Sequence, residues 1–238
     1  MNSGVPFRHV AALLPQRVLG PLGWLRGSIG AGLAIAIAGL ATAALVGSTM
    51  SGLPWLVAPL GASAVLVFAV PASPLAQPWS VVGGNLISAA IGLTLGLLTG
   101  EPALAAALAV GLAIAIMSLA RCLHPPGGAC ALLCALGAAG PDGWGYLHLV
   151  PIGANVLALT AAGWVYNNAT GHRWPHVVVP AAPAPDPLHA PALHTREDIE
   201  ATLAGWDELL DVDVDDLDAF VRAVSERVAE RSRSGGKQ

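Results

Sequence analysis

Long apolar stretches alternate with short breaks along the first two thirds of the chain. Four of these stretches are about 20 residues long, which is the length that an α-helix needs to cross a bilayer, and they lie at roughly 28–48, 80–99, 103–123 and 148–168. Two shorter apolar runs, at about 60–70 and 128–139, cover only half of that distance at about 1.5 Å per residue. The pattern therefore predicts four full-length transmembrane helices and two half-length helices.

The distribution of charge excludes a soluble fold for this part of the chain. Residues 27–171 hold only three formal charges, Glu101, Arg121 and Asp142, and three charges cannot cover the outer face of a soluble core. Nucleic-acid binding is excluded as well, because the basic residues form no patch. We expect an α-helical protein that crosses a lipid bilayer several times.

Other functional classes find little support in the sequence. The first 26 residues contain three prolines and no A-x-A cleavage site, so a removed signal peptide is a poor interpretation. Cys122, His124, Cys130 and Cys134 superficially resemble a metal set, although packing of small apolar residues explains the cysteines more simply. We predict no metal, no cofactor and no enzymatic activity, because no nucleophile–base order, carboxylate pair or phosphate loop occurs.

The apolar region contains an internal repeat. The stretch from Pro59 to Leu66 recurs from Pro126 to Leu133, and Gly83-Gly84-Asn85 recurs as Gly153-Ala154-Asn155. These matches place Pro, Gly and Asn in the same order within similar hydropathy, which chance rarely produces. Each repeat comprises a long helix, a Pro/Gly break with a half-length helix, and a long helix with one Asn. Residues 27–101 form the first repeat and residues 102–171 the second.

The charges favour six crossings over four. If the half-length helices turn back, each repeat crosses twice and the repeats are parallel; if they complete a crossing, there are three crossings per repeat and the repeats are inverted. With the basic segment 1–26 inside the cell, six crossings place Glu101 and Asp142 outside and Arg121 toward the inside. Both termini are then cytosolic, in the cell (inner) membrane. Inverted repeats with broken helices are typical of secondary transporters, whose sites lie near the midplane.

The two breaks are the best candidates for a functional site. Pro59 in the first repeat, and Pro125 with Pro126 in the second, are expected to leave backbone N–H groups unpaired at the start of each half-helix, and such helix ends attract anions. Two helix ends cannot replace the hydration of an ion, so a passing anion needs polar side chains and part of its water. The predicted pathway residues are Gly61, Ala62, Ser63, Asn85, Arg121, His124, Gly127, Gly128, Ala129 and Asn155.

These residues also have structural interpretations. Pro/Gly breaks let helices kink and pack, and the two asparagines can form hydrogen bonds between helices. Arg121 can extend to the membrane interface, and His124 can either respond to protons or fix the loop beside it. As a hypothesis, the two half-helix starts converge near the midplane, and valine at Gly61 or Gly128 then does more harm than valine at Gly92, within an ordinary span.

The sequence around the second break, from Arg121 to Ala129 (RCLHPPGGA), resembles the signature of the HPP family of integral membrane proteins. Pro59 to Pro71, and Gln77-Pro78 followed by Gly83-Gly84-Asn85, look like the family's other recurrent stretch, although the family often has His at the position of Asn85. The resemblance covers roughly residues 20–170. It implies transport of a small anion, since plant plastid and cyanobacterial relatives are associated with nitrite transport.

The last part of the chain has a different composition. Residues 172–194 are rich in proline and predict an extended linker. Residues 195–238 are acidic, begin with the capping-box-like Thr195-Arg-Glu-Asp198, and continue with apolar residues at helical spacing. They predict a small cytosolic helical hairpin whose apolar stripe, within 195–232, needs a partner.

The sequence thus predicts an all-α, polytopic transmembrane bundle with two repeats, half-length helices and a cytosolic helical tail. We expect a transporter or channel for a small inorganic anion, with nitrite as the first candidate, working as a homo-oligomer. The alternative is a membrane-anchored sensor or scaffold whose tail binds a partner. The repeat and its two matched breaks favour transport, because an anchor needs neither.

Overall fold

A computed structural model of the protein describes residues 23–47, 53–177, 194–204 and 212–235. All regular structure in these residues is helical: α1 (Gly23–Val46), α2 (Pro59–Ala69), α3 (Pro78–Thr99), α4 (Pro102–Leu119), α5 (Pro125–Ala139), α6 (Leu149–Ala169), α7 (Arg196–Ala204) and α8 (Val214–Gly235). Two 3-10 turns, Pro74–Ala76 and Tyr146–His148, precede α3 and α6.

Four of the described helices are long and apolar enough to cross a membrane, and they span Gly23–Val46, Pro78–Thr99, Pro102–Leu119 and Tyr146–Ala169. The helices α2 and α5 are shorter, with 11 and 15 residues. The predicted all-α membrane bundle with several spans is therefore confirmed. The helices α2, α3, α4 and α5 each begin on proline, which suits a first turn whose N–H groups have no partner within the helix.

The long helices pack antiparallel to their neighbours. Arg26, at the start of α1, is bonded to Asn167 at the end of α6. The Trp79 ring N–H, at the start of α3, donates to the Ala120 carbonyl at the end of α4. Thr94, near the end of α3, is bonded to Tyr146 just before α6. It follows that α1 and α3 run in one direction and α4 and α6 in the other.

The half-length helices run parallel to the long helices that they pack against. The helix α2 follows α6, from Val57 beside Asn155 to Val67 beside Asn167. The helix α5 follows α3 in the same way, because Gly84 lies against His124 and Gly96 against Ala138. The six segments α1–α6 therefore alternate in direction along the chain.

The set of contacting pairs among these six helices is symmetric, although α3 and α5 pack far more extensively than α2 and α6 do. Three helix pairs have a counterpart in the other half of the bundle: α1–α6 corresponds to α3–α4, α1–α2 to α4–α5, and α3–α5 to α2–α6. The two remaining contacting pairs, α3–α6 and α2–α5, each correspond to themselves. Exchanging α1, α2 and α3 for α4, α5 and α6 leaves this set unchanged. Inverted repeats would produce this arrangement, and the duplication itself stays a prediction.

Charge is segregated between the two ends of the bundle. Arg26, Arg121 and Arg173 lie at the end where α1 and α3 begin and where α4 and α6 finish, and we call this the basic end. Glu101 and Asp142, which precede α4 and follow α5, lie at the acidic end. An excess of arginine marks the cytosolic side of membrane proteins, so this segregation fits the predicted orientation, which stays a prediction.

Small residues let α3 and α5 approach closely. A Cβ atom added at Gly92 would lie 2.3 Å from the carbonyl oxygen of Ala131 and 2.8 Å from Cβ of Cys134. Close backbone packing of this kind stabilises helix pairs in lipid, where the hydrophobic effect does not drive their association. Gly92 thus lies in a full-length span, as expected, but the packing argues against the expected order of the valine variants, because a Cβ atom at Gly61 or Gly128 meets no atom within 4 Å. The order of their flux stays a prediction.

The tail contains two helices, α7 and α8, which pack against each other. Thr195 and Asp198 cap the start of α7 reciprocally, since the Thr195 N–H donates to the Asp198 carboxylate and the Asp198 N–H donates to the Thr195 hydroxyl. His176 Nε2 lies 3.0 Å from the Asp216 carboxylate, which connects α8 to the basic end. Most of the predicted linker, at 178–193, lies outside the described residues.

Candidate functional site

Three polar side chains from three different segments meet inside the bundle. Ser63 of α2, Asn85 of α3 and His124, which precedes α5, are 0%, 2% and 0% exposed. His124 Nε2 lies 2.8 Å from Ser63 Oγ, and Asn85 Nδ2 donates to the same oxygen at 3.2 Å. We call Ser63, Asn85 and His124 the polar cluster.

The local sequence explains how His124 reaches this position. A residue before proline avoids the helical conformation, and His124 is extended with φ −142° and ψ 107°. Pro125 and Pro126 then start α5, and the Gly127 N–H donates to the His124 carbonyl at 2.8 Å. The imidazole is thereby held beside the start of α5, and there it meets Ser63 of α2.

The hydrogen bonds of the cluster assign its protons. His124 Nδ1 lies 2.8 Å from the Leu75 carbonyl, which can only accept, so Nδ1 carries a proton. In the neutral ring, Nε2 then accepts from the Ser63 hydroxyl, and Ser63 Oγ accepts from Asn85. If the ring is protonated, Nε2 donates instead, and the hydroxyl of Ser63 turns to the Pro59 carbonyl, 3.4 Å away. The cluster thus has two complete hydrogen-bonding arrangements.

Two glycines make room for the cluster. A Cβ atom added at Gly84 would lie 2.5 Å from Cβ of His124, and one added at Gly127 would lie 2.8 Å from the Gly84 carbonyl oxygen. Gly127 is one of the predicted pathway residues, and in the structure it contacts α3. Gly84 was not predicted, although it precedes Asn85 in the repeated stretch.

Asn155 belongs to a separate hydrogen-bonding group. Its side-chain oxygen accepts from the Val57 N–H at 3.0 Å, and its Nδ2 donates to the Thr42 hydroxyl and, at 3.1 Å, to the Trp55 carbonyl. These bonds hold the turn-containing segment before α2, residues 53–58, against α1 and α6. The structure therefore favours the structural interpretation for Asn155. Thr42 was missed, because a single threonine in an apolar span gives no signal.

The starts of the half-helices offer fewer free N–H groups than expected. The Leu60 and Gly61 N–H groups donate to the Val57 and Ala58 carbonyls at 3.1 and 3.0 Å, and the Gly127 N–H is paired with His124. The expectation that the breaks leave their N–H groups unpaired is therefore wrong for these three residues. The polarity of the site comes from side chains instead.

The remaining candidates lie away from the cluster. Gly61, Ala62, Arg121 and Ala129 are exposed, and Gly128 is half-buried. A Cβ atom added at Gly61 or Gly128 meets no atom within 4 Å. Of the ten predicted residues, the structure brings Ser63, Asn85 and His124 into direct contact and places Gly127 beside them.

A short loop covers the cluster toward the basic end. In this closing loop, Pro71–Gln77, three successive carbonyls are bonded to different elements: Pro74 accepts from Ser80 Oγ at 3.0 Å, Leu75 accepts from His124, and Ala76 accepts from Trp174 Nε1 at 3.1 Å. Trp174 is buried, with 1% exposure. This contact could not be predicted from the sequence, because Trp174 lies beyond the last apolar span.

The sequence model for the transmembrane region of the HPP family matches residues 16–175. This chain belongs to the HPP family. The predicted resemblance is confirmed, and the match includes all of α1–α6. The chain is also 39% identical over 122 residues to a transmembrane protein of Dictyostelium discoideum, and 38% identical over 123 residues to a second one.

Each of these alignments covers 50% of this chain, and they cover 43% and 40% of the two relatives. The matched part of the chain thus spans less than half of the length of these curated relatives. No solved structure matches the chain. The family membership therefore supports a membrane protein with several spans, and it leaves the substrate open to proposal.

Proposed function

We propose that the protein forms a membrane pathway for a small inorganic anion. The polar cluster supports this proposal, because Ser63, Asn85 and His124 are buried within an apolar bundle where the half-helices α2 and α5 meet. Polar groups inside a membrane protein are costly and mark ion or substrate pathways more often than anchors. A bundle that served only as an anchor would need no such cluster.

The chemistry of the cluster suits an anion better than a cation. Its side chains carry hydrogen-bond donors, namely the Asn85 amide, the Ser63 hydroxyl and a ring N–H of His124. In the structure these donors are paired within the protein, and movement of the closing loop frees the His124 Nδ1–H for an anion. A cation pathway would use carboxylates, and the acids of residues 27–171, Glu101 and Asp142, lie at the acidic end. Three neutral donors hold an anion weakly, as rapid release requires. Nitrite is the first candidate because of the family resemblance.

The described arrangement is closed. Ser63 and His124 are fully buried, and the closing loop lies between them and the basic end. Passage of an ion therefore requires the closing loop to move, which breaks the bond between Leu75 and His124. In the proposed orientation the basic end faces the cytosol, in accordance with its arginines.

Anion flux into proteoliposomes tests the proposal. Nitrite, nitrate, formate, chloride and bicarbonate are compared with and without a pH gradient, in the wild-type chain and in Ser63→Ala. Ser118→Ala serves as the matched control, because Ser118 is an exposed serine whose hydroxyl donates to the Ile114 carbonyl of the same helix, α4. No flux of any of these anions in well-inserted protein would contradict the proposal, and so would equal flux in all three proteins.

One observation favours a second candidate function, that of a membrane-anchored scaffold. Phe220, Val224 and Val228 lie on one face of α8 and are 65%, 46% and 45% exposed, and such a stripe suits a partner helix or domain. Affinity purification of the full chain, and of a chain that lacks residues 194–235, from the same cells tests this function. A scaffold loses its partner with the tail and shows no flux, whereas the proposed pathway keeps its flux.

We also propose a homo-oligomer. The exposed faces of α2 and α5 carry Gly61, Ala62 and Ala129, and small residues allow helices from two copies to pack closely in lipid. Mass photometry in nanodiscs, with Ala62→Leu as the interface variant and Ala107→Leu on α4 as the control, measures the oligomeric state.

A further inference from the structure

An apolar groove runs along the outer face of the bundle between α1 and α6. It has a volume of about 450 Å³, and its walls include Gly30, Leu33, Ile37, Ala158, Ala161 and Val165. Along α6 its lining residues run from Ala158 to Ala169, which is eleven residues or about 16 Å at 1.5 Å per residue. These dimensions suit one extended acyl chain.

Arg26 lies at the basic end of this groove. It precedes Gly30, Leu33 and Ile37 by four, seven and eleven residues, so it shares their face of α1. Its guanidinium donates to Asn167 Oδ1 at 2.9 Å, to Thr170 Oγ1 at 3.2 Å and to the Phe68 carbonyl at 2.8 Å. All three acceptors are neutral, and the bond to Thr170 is exposed, so a ligand in the groove can reach the guanidinium there.

The charge of Arg26 has no counter-charge in the part of the chain that the structure describes. None of the ion pairs among those residues involves Arg26, and its Nε is buried without a hydrogen-bond partner. Glu101 and Asp142 lie at the opposite end of the bundle. A full positive charge therefore lies at the mouth of an apolar groove, at the edge of the membrane-spanning region.

We infer that Arg26 and the α1–α6 groove bind one anionic phospholipid, with its phosphate on the guanidinium and one acyl chain in the groove. A phosphate supplies the missing negative charge, and one of its oxygens can replace Thr170 Oγ1 as the acceptor at the exposed side of the guanidinium. Basic pockets between transmembrane helices on the cytosolic side are typical sites for anionic headgroups. This site is independent of the proposed pathway, since it lies on the outer face of the bundle.

A second copy of the chain fits the groove less well than a lipid does. Two copies in one membrane have the same orientation, so their basic ends lie side by side and their acidic ends lie far from either Arg26. Such a dimer brings neither Glu101 nor Asp142 of the second copy near Arg26. Three acids of α8 lie on the basic side, but they are already paired with basic side chains: Asp215 with Arg196, Asp216 with His176 and Asp218 with Arg222. An anionic lipid supplies an unpaired negative charge. The positive charge of Arg26 therefore favours an anionic lipid over a second copy of the chain as the occupant of the groove.

Native mass spectrometry of the purified full chain tests the inference. The protein is titrated with palmitoyl-oleoyl phosphatidylglycerol and with the zwitterionic phosphatidylcholine of the same chains. We expect the wild type to prefer phosphatidylglycerol, Arg26→Gln to weaken its binding about fivefold, the factor for one arginine near an anionic surface, and Arg26→Lys to retain the preference. Ala161→Leu fills the groove and should reduce the binding of both lipids, whereas the control Ala107→Leu, on the exposed face of α4, should not.

Three results would overturn the inference. They are equal binding of the two lipids by the wild type, an undiminished preference in Arg26→Gln, and a change of oligomeric state in Ala161→Leu without a change in lipid binding, which would assign the groove to a second copy. If Arg26→Gln does not insert, Arg26→Lys and Ala161→Leu still decide the question. The readout is lipid binding, so the result does not depend on whether the protein conducts an anion.

Discussion

The two kinds of glycine in the bundle predict opposite effects of the same substitution. At Gly92, an alanine Cβ would lie 2.3 Å from the carbonyl oxygen of Ala131, about 1 Å inside the closest ordinary contact. That oxygen belongs to the backbone of α5, so α3 and α5 must separate. Overpacking of this kind costs about 1–3 kcal/mol. The gain in helix propensity on replacing glycine by alanine is at most about 1 kcal/mol, so Gly92→Ala is destabilising on balance.

At Gly128 the same Cβ meets no atom within 4 Å. Only the propensity gain remains there, so Gly128→Ala should leave the stability unchanged or raise it by up to about 1 kcal/mol. The two variants thus form a matched pair, in which one methyl group is added to a helical glycine in each case. For a chain of this size, about 1 kcal/mol corresponds to a shift of about 2–4 °C in Tm.

The buried thiols provide the assay. Cys122, Cys130 and Cys134 are free and buried, so a thiol-reactive dye reports unfolding in detergent through their exposure. We expect Gly92→Ala to lower the midpoint of dye reaction by several degrees and Gly128→Ala to leave it at or above that of the wild type. Equal shifts of this midpoint in the two variants would refute the packing argument, because the added methyl group would then cost the same against a backbone atom as in open space.

Four further predictions concern the pathway, the topology and the tail. Ser63→Ala should weaken the interaction with the anion by about 1 kcal/mol, the size of one net hydrogen bond, and alter the order of flux among anions; an unaltered order would count against the cluster. Cysteines introduced at Glu101 and Asp142 should react with an impermeant reagent on the side opposite a cysteine at Arg173, and reaction on one side would contradict six crossings. Removal of residues 190–238 should leave anion flux through the bundle intact, and loss of flux in a well-inserted truncation would show that the tail controls the pathway. Finally, Arg222 holds the pKa of Asp218 below its ordinary value, and hydrogen bonds from Thr195 do the same for the pKa of Asp198. The two ionised carboxylates therefore stabilise the tail fully at a pH above their ordinary pKa of about 3.9. This stabilisation is lost as the pH falls through their lowered pKa values. A spin label at Ala223 should accordingly become more mobile at pH 3 than at pH 6, and constant mobility would contradict this assignment.

The membrane-spanning architecture could be predicted because lipid imposes a simple rule on the sequence. A backbone in hydrocarbon must be helical, so the length of each apolar run between prolines fixes the kind of helix. The prolines that begin α2 and α5 marked the half-length helices correctly. The side chains of the polar cluster could be found as well, since Ser63, Asn85 and His124 are polar residues in apolar surroundings.

The neighbours of these residues could not be predicted, because they depend on how helices rotate against each other. Nothing in the sequence distinguishes Gly92, which touches a backbone, from Gly128, which faces open space. The Leu75 carbonyl fixes the His124 ring, and a backbone group has no sequence signature. Trp174 lies after the last span, and hydropathy gives no reason to expect its side chain to be buried at the basic end of the bundle.

The two asparagine sites lie at different depths. Asn85 is seven residues into α3 from the basic end, and Asn155 is six residues into α6 from the acidic end. Asn155 accepts from a backbone N–H group, whereas Asn85 donates to the Ser63 hydroxyl, whose own proton turns either to His124 or to the Pro59 carbonyl. In a pathway that runs past both residues, Asn155 keeps one set of hydrogen bonds, whereas the hydrogen bonds around Asn85 change when the pathway opens. Opening would then begin at the arginine-rich side, and the two halves of the bundle would have different roles.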